Sequence, residues 1–233
     1  MSSETLLERP DAWADLLAAL AECLREPDED LLEHVQDGEL QDALADAVER
    51  LDLQPAPGID PPSVSSVGVM TESYLALFEA LETPYAPNAE SPYKPWYGER
   101  TGLMAGPPAE EMRRRYAAID ADVPPCYPAD HVSLLLEYGS LLLDAGAVDA
   151  FVVFQEDHFD WFPALRLATA GAAAESPFHR WAVFLLDDVA TTLRSRLGSE
   201  PIDDETAASM VDRIGDVSPW TAVFQQEDRR QSS

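Results

Sequence analysis

"CYPADHVSLLLEYGSLLLDAG", Cys126 to Gly146, decides the fold. From Val132 onward Leu134, Leu135, Leu136, Tyr138, Leu141, Leu142 and Leu143 leave only Ser133, Glu137, Ser140 and Asp144 polar, and these four fall on one narrow stripe. A helix apolar around the rest of its circumference belongs in the middle of a bundle. Pro128 suits a first turn and Asp130 suits the positive end of a helix, so the pattern predicts a helix over 128–145. His131 suits it less, because a helix N-terminus disfavours imidazolium; the ring is expected to be neutral unless a neighbouring acid holds its proton. Two readings of the Asp130–His131 pair stand open. One is structural, a capping Asp with a His bonded to a loop carbonyl, and predicts that substitution lowers stability. The other is functional and predicts a loss of binding with the fold intact.

Helical period dominates outward from this stretch. "RPDAWADLLAALAECLRE" puts Pro10 at a first helical position and Trp13, Leu16, Leu17, Leu20 and Leu24 on one stripe. The acidic run that follows reads as two short helices broken at Gly38, and "QPAPGIDPPSVSSVG" as a loop. "TESYLALFEALE" resumes a helix with Thr71 as its cap and Tyr74, Leu77, Phe78 and Leu81 inward. Thr83 to Pro108 is rich in proline and aromatics; a loop of that length is usually functional or disordered, and Tyr85, Tyr93, Trp96 and Tyr97 argue against disorder. "PPAEEMRRRYAAID" is helical, acids first and arginines later. Further helices are expected near 147–158, 161–174, 178–197 and 204–214. The fold class is therefore all-α: one bundle of about ten helices over 1–215, with a polar, flexible tail at 216–233.

Composition bounds the partners. With 44 acids against 15 bases the formal net charge is −29, while 46% of residues are hydrophobic, enough for a sizeable core. Lys94 is the sole lysine. Acid excess with almost no lysine suggests a surface built for a salty cytoplasm; the alternative is simply an acidic, GC-rich proteome. The charge repels phosphates, so neither nucleic acid nor an anionic membrane is an expected partner. Cys23 and Cys126 are too few and too far apart for a metal knuckle or a disulfide framework. No signal peptide and no membrane-spanning run is evident, and a soluble intracellular protein is expected.

Catalytic motifs are missing: there is no Gly-x-Ser-x-Gly, phosphate loop, dinucleotide fingerprint or His-Glu-x-x-His. "EDHFDWF", Glu156 to Phe162, supplies a second Asp-His pair, so a metal site joining His131, His158 and nearby acids is an alternative. No Glu-x-x-His repeat of the di-iron bundles supports it. "RRRY" at 113–116 reads as a solvated helix face, and no twin-arginine export signal precedes an apolar run at the N-terminus.

Four segments, in order, resemble the TorD/DmsD/NarJ group of redox-enzyme maturation chaperones, most closely its TorD/DmsD branch. "YLALFEAL" is similar to the family's Leu-Phe helix at Leu77 and Phe78. "SPYKPWYGERTGLMAGPPAEEMRRRY" is similar to its Pro-Tyr/Trp-x-Ser-x-Tyr/Trp loop at Pro92, Tyr93 and Tyr97, with Pro95 replacing the usual Ser. "YPADHVSLLLEY" resembles Glu-Pro-x-Asp-His at Pro128, Asp130 and His131, with Tyr127 for Glu. "HFDWFPALRLATAGAAAESPFHRWAVFL" resembles the His-x-x-Trp segment at His158 and Trp161, then the Pro-Phe-Tyr helix at Pro177 and Phe178, with His179 for Tyr.

The resemblance implies an all-helical cytoplasmic chaperone rather than an enzyme. It would bind the twin-arginine signal peptide, or another part, of a molybdopterin-containing oxidoreductase and hold that client for cofactor insertion before export. The implied peptide-binding residues are Asp130, His131, Tyr93, Trp96, Tyr97, Pro128, His158 and Trp161, with the Asp-His pair facing a groove roofed by the loop aromatics. No cofactor is expected; a guanine nucleotide enters through the resemblance alone. Monomer and domain-swapped dimer both remain open. The competing readings are a metal-dependent helical enzyme using His131 and His158, and an unrelated helical adaptor.

Overall fold

In the computed structural model, described for residues 7–79, 84–95, 102 and 104–215, the helical periods become ten α-helices and, among those residues, no strand beyond one bridge between Ala89 and His131. Trp96, Tyr97 and the 216–233 tail lie outside the described residues. α1 (Pro10–Leu24) and α6 (Val132–Asp144) form the most extensive helix pair. Pro10 starts α1 as expected, and its stripe of Trp13, Leu16, Leu17, Leu20 and Leu24 is fully buried. Each such aliphatic side chain contributes about 2 kcal/mol on leaving water. α7 (Val148–His158) folds back on α6, while α3 (Glu39–Arg50) and α9 (Pro177–Arg196) close on α1. α8 (Phe162–Gly171) packs between α9 and α10 (Asp204–Gly215). α2 (Glu29–Gln36) turns into α3 at Gly38, whose φ of +81° suits a residue with no Cβ. α4 (Val67–Phe78) leans on α9, and α5 (Pro107–Ala118) is tied to α6 where Tyr116 Oη donates to the Leu134 carbonyl. One hydrophobic cluster runs from Leu7 to Ile214.

α6 occupies the central place that its apolar circumference demands, with two corrections. Ser133 and Ser140 face inward, and the solvent positions are Glu137, Leu141 and Asp144, with Leu141 53% exposed. The approach of α1 and α7 is close because Gly139 lies at the crossing. A Cβ there would sit 3.2 Å from the Phe151 ring, 3.3 Å from Phe159 and 3.4 Å from Leu17.

The second correction concerns where α6 begins. Pro128 and Asp130 lie in a turn before it, and His131 is the N-cap, its Nδ1 accepting from Ser133 N at 3.2 Å. The backbone of 130–132 is engaged elsewhere. Val132 N donates to Asn88 O at 2.8 Å, and Glu90 N donates to Asp130 O at 3.0 Å. These bonds to a segment forty residues upstream hold the chain extended and delay the helix. α4 also departs from expectation: it starts at Val67, not Thr71, because Ser66 Oγ accepts from Val69 N at 3.3 Å and caps it earlier.

Candidate functional site

Residues 85–93 are all buried, although they form no helix. A buried loop must find partners for its polar groups, and this segment, here termed the strap (residues 84–95), finds them in side chains expected to bind a ligand. Asp130 Oδ2 accepts from Ser91 N at 2.7 Å and from Ser91 Oγ, which in turn accepts from Gly106 N at 2.8 Å. Burial raises the Asp130 pKa, opposed by the Ser91 hydrogen bonds.

His131 is buried and clasped on both nitrogens. Nδ1 accepts from Ser133 N and lies 2.8 Å from Ser133 Oγ; Nε2 lies 3.1 Å from Tyr74 Oη, which accepts from Asn88 Nδ2 at 2.6 Å. Because Nδ1 is an acceptor, the proton sits on Nε2 and the ring is neutral, as expected. Burial pushes its pKa down to about 3. Tyr127, standing where the family has Glu, covers the ring at 4.4 Å between centroids and accepts from Glu26 N at 2.8 Å through its hydroxyl.

A second polar cluster fastens the other end of the strap. Glu90 is buried, and its Oε2 lies 2.7 Å from His158 Nδ1. Desolvation raises the Glu90 pKa to about 7, with His158 and Lys94 pulling it down and Asp130 pushing it up. Lys94 reaches Asp160, the Asp157 carbonyl at 3.1 Å and Glu90 at 3.6 Å. The sole lysine is thus a half-buried tie, not a surface charge. His158 Nε2 lies 3.6 Å from Glu111, which pairs with Arg115 at 2.6 Å. Trp161 Nε1 donates to the His158 carbonyl at 2.9 Å, and its ring packs on Tyr93 at 4.9 Å.

Among the described residues the expected open groove is not found. Tyr93, Asp130, His131, His158 and Trp161 are buried, and Pro128 is half-buried. The fold does gather them around the strap. Three of their polar atoms, Tyr93 Oη, Asp130 Oδ1 and His158 Nε2, are buried with no hydrogen-bond partner among the described residues. His131 and His158 have separate partners. Among the described residues no three His, Cys, Asp or Glu side chains are grouped as metal ligands, so the metal-enzyme alternative lacks its geometry. Arg113 and Arg114 are exposed, as expected of a solvated face. Tyr74, Asn88, Glu90, Ser91 and Lys94 were not anticipated; the isolated lysine was the one sequence signal pointing to them.

His179 repeats the chemistry of His131 on α9. It is buried among Tyr74, Phe78 and Phe178, with Ser176 Oγ 2.8 Å from Nδ1, and burial lowers its pKa to about 3. Both rings are neutral when folded yet protonate near 6.5 when the chain unfolds, so the unfolded state binds more protons below 6.5 and stability is lost as the pH falls. Between pH 7 and 5 each ring costs about 2 kcal/mol. Glu90 acts oppositely, since its folded pKa lies above the usual 4.5. His179→Phe leaves Glu90 in place, so urea melts at the two pH values should show the variant losing about 2 kcal/mol less than the parent over this interval. Equal losses would place the protonation elsewhere.

Residues 37–167, more than half of the chain, match the family model described as nitrate reductase delta subunit. The chain belongs to that family. Its members are redox-enzyme maturation chaperones whose partners are molybdoenzyme subunits. The matched span holds the strap, Asp130, His131, His158 and Trp161. A search of the curated proteins returned no match. No described helix is long and apolar enough to cross a membrane.

Proposed function

We propose that this chain is a salt-adapted cytoplasmic chaperone of the TorD/DmsD branch, binding the twin-arginine signal peptide or another part of a molybdopterin oxidoreductase and holding it until the cofactor is inserted. The observation that carries this reading is a set of buried polar atoms with no hydrogen-bond partner among the described residues: Asp130 Oδ1 and His158 Nε2 beside the strap, the latter 3.6 Å from Glu111, and Tyr93 Oη on it. Unsatisfied buried groups cost roughly 1–3 kcal/mol each. A polar segment that displaced the strap would meet an acceptor carboxylate and an imidazole nitrogen already facing inward. A carboxylate and guanidinium groups form strong, charge-assisted bonds.

In molar salt the Debye length falls to roughly 3 Å, so binding must rest on contact and apolar burial rather than long-range attraction. The test is co-purification, in molar potassium chloride, of the chain with a molybdoenzyme large subunit carrying its leader, against the same subunit without it. Retention that depends on the leader and persists in salt is the expected result. Equal retention of both forms moves the binding to another part of the client, and no retention of either removes the chaperone reading.

A further inference from the structure

Trp13 is fully buried in the stripe of α1, yet its indole Nε1 has no hydrogen-bond partner among the described residues. A buried N–H without an acceptor is costly, and native structures rarely leave one so. Trp13 lines a pocket of about 540 Å³ where α1 starts and α3 and α9 end. That volume suits a small-molecule site. The chain holds 15 bases against 44 acids, yet three of those bases, Arg9, Arg50 and Arg196, line this one pocket.

The three arginines are not equivalent. Arg50 is taken up by Asp11, Asp15 and Asp46 at 2.6, 2.6 and 2.9 Å. Arg196 lies over the Trp13 ring, 5.7 Å from its centroid, and donates one N–H to the Leu51 carbonyl at 3.0 Å. The rest of its fork is left over. The Arg9 guanidinium has no partner among the described residues. Two carboxylates, Glu8 and Asp52, share the lining, and among the described residues neither is paired with a cation. A bare anion would meet both acids, and a bare cation would meet the guanidinium groups. A molecule carrying both signs answers both. We propose that this pocket binds a small zwitterion, a free α-amino acid. Its carboxylate is taken by Arg9, Arg196 and the Trp13 N–H, and its ammonium by Asp52 and Glu8. Guanidinium and carboxylate make charge-assisted, geometrically matched bonds. The helix ends set the same direction: Arg9 stands at the positive start of α1 and Asp52 just beyond the negative end of α3. Leu7 and Leu51, both buried, offer an aliphatic side chain an apolar wall. A neutral ligand held by contacts also suits molar salt, where only touching charges interact. The pocket shares no residue with the strap or its ties, so the inference stands apart from the chaperone reading.

The test is isothermal titration calorimetry on the full chain in molar potassium chloride. Residues 1–6 precede Leu7 and are kept, so any competition from the chain's own start is included in the measured affinity. The probes are L-leucine, isocaproate, which lacks the ammonium, isoamylamine, which lacks the carboxylate, and inorganic phosphate. Leucine should bind at least tenfold more tightly than any of the other three. Arg9→Gln and Arg196→Gln should each weaken leucine at least fivefold. Asp52→Asn should weaken leucine by a similar factor and leave isocaproate within twofold, a split that a merely structural role would not produce. Trp13→Phe removes the N–H and should weaken leucine several-fold; should that variant fail to fold, the exposed Arg9→Gln carries the test alone. Arg113→Gln, on the solvated face of α5, should change nothing beyond twofold. Phosphate binding more tightly than leucine would make the pocket a plain anion site and overturn the proposal. Isocaproate binding as tightly as leucine overturns it too, because the acids then take no part. So does an Arg113 variant as impaired as the Arg9 variant, or the absence of saturable heat with leucine and with every other common L-amino acid at millimolar concentration.

Discussion

Asp130→Ala is expected to cost the fold about 3 kcal/mol at neutral pH, while Asp130→Asn costs about 1. The carboxylate is buried and accepts both the backbone N–H and the hydroxyl of Ser91, and that hydroxyl receives Gly106 N. Alanine removes the acceptor of two bonds at once in a place water does not reach, and each such loss costs roughly 1–3 kcal/mol. Part of this is offset, because the carboxylate is itself unfavourable there; burial raises its pKa. Asparagine keeps an oxygen of similar reach for Ser91, loses the charge, and puts its NH2 in the place of Oδ1. Denaturant midpoints of the two variants decide the stability order. Limited proteolysis within the strap should quicken in the alanine variant before global unfolding. If both variants melt within about 0.5 kcal/mol of the parent yet fail to bind a client, Asp130 is a contact residue and the strap is anchored by its other ties.

That expectation reverses the functional alternative read from the sequence, in which Asp130 and His131 are substituted with the fold intact. The difference lies in what a local pattern can carry. The bundle was legible because helical period is local: Trp13, Leu16, Leu17 and Leu20 repeat on one side of α1, and all are buried. The pattern in α6 told that the helix is central but not which neighbours flank it. Ser133 and Leu141 therefore exchange the expected places, and Ser133 is satisfied inside by the His131 ring. The start of α6 was misjudged because Asn88 and Glu90 hold the backbone of 130–132, a non-local pairing that no capping rule anticipates. The site itself was half legible. Motif resemblance singled out Asp130, His131, His158 and Trp161, while Ser91 and Glu90, which meet Asp130 and His158, lie in a loop with no period at all. Lys94 was visible as a singularity of composition, yet its role depends on Asp160 and Glu90 being folded beside it.

Removing salt is expected to unfold the protein. The formal charge of −29 is carried on a chain whose sole lysine is committed to the strap, so arginine supplies the remaining basic side chains. Where arginines do gather acids, the sharing is uneven: Arg50 alone serves Asp11, Asp15 and Asp46, joining α3 to α1. Among the described residues, most other carboxylates of α2, α3 and α10 face water and pair with no cation. At 0.1 M salt the Debye length is about 10 Å, so neighbouring helices feel one another's charge; near 1 M it is about 3 Å and only contacts remain. Compact packing concentrates that repulsion and unfolding relieves it. Circular dichroism should therefore show helix loss below a few tenths molar potassium chloride and recovery when the salt is restored. Two effects of salt must be parted, since excluded solutes also strengthen apolar burial. Sucrose at equal osmolality provides burial without screening. If it restores the helix as fully as potassium chloride does, the protein lacks hydrophobic stability rather than charge screening. If the chain stays folded in dilute buffer with neither, its surface charge imposes no demand on the solvent, and the salt-adapted reading fails with it.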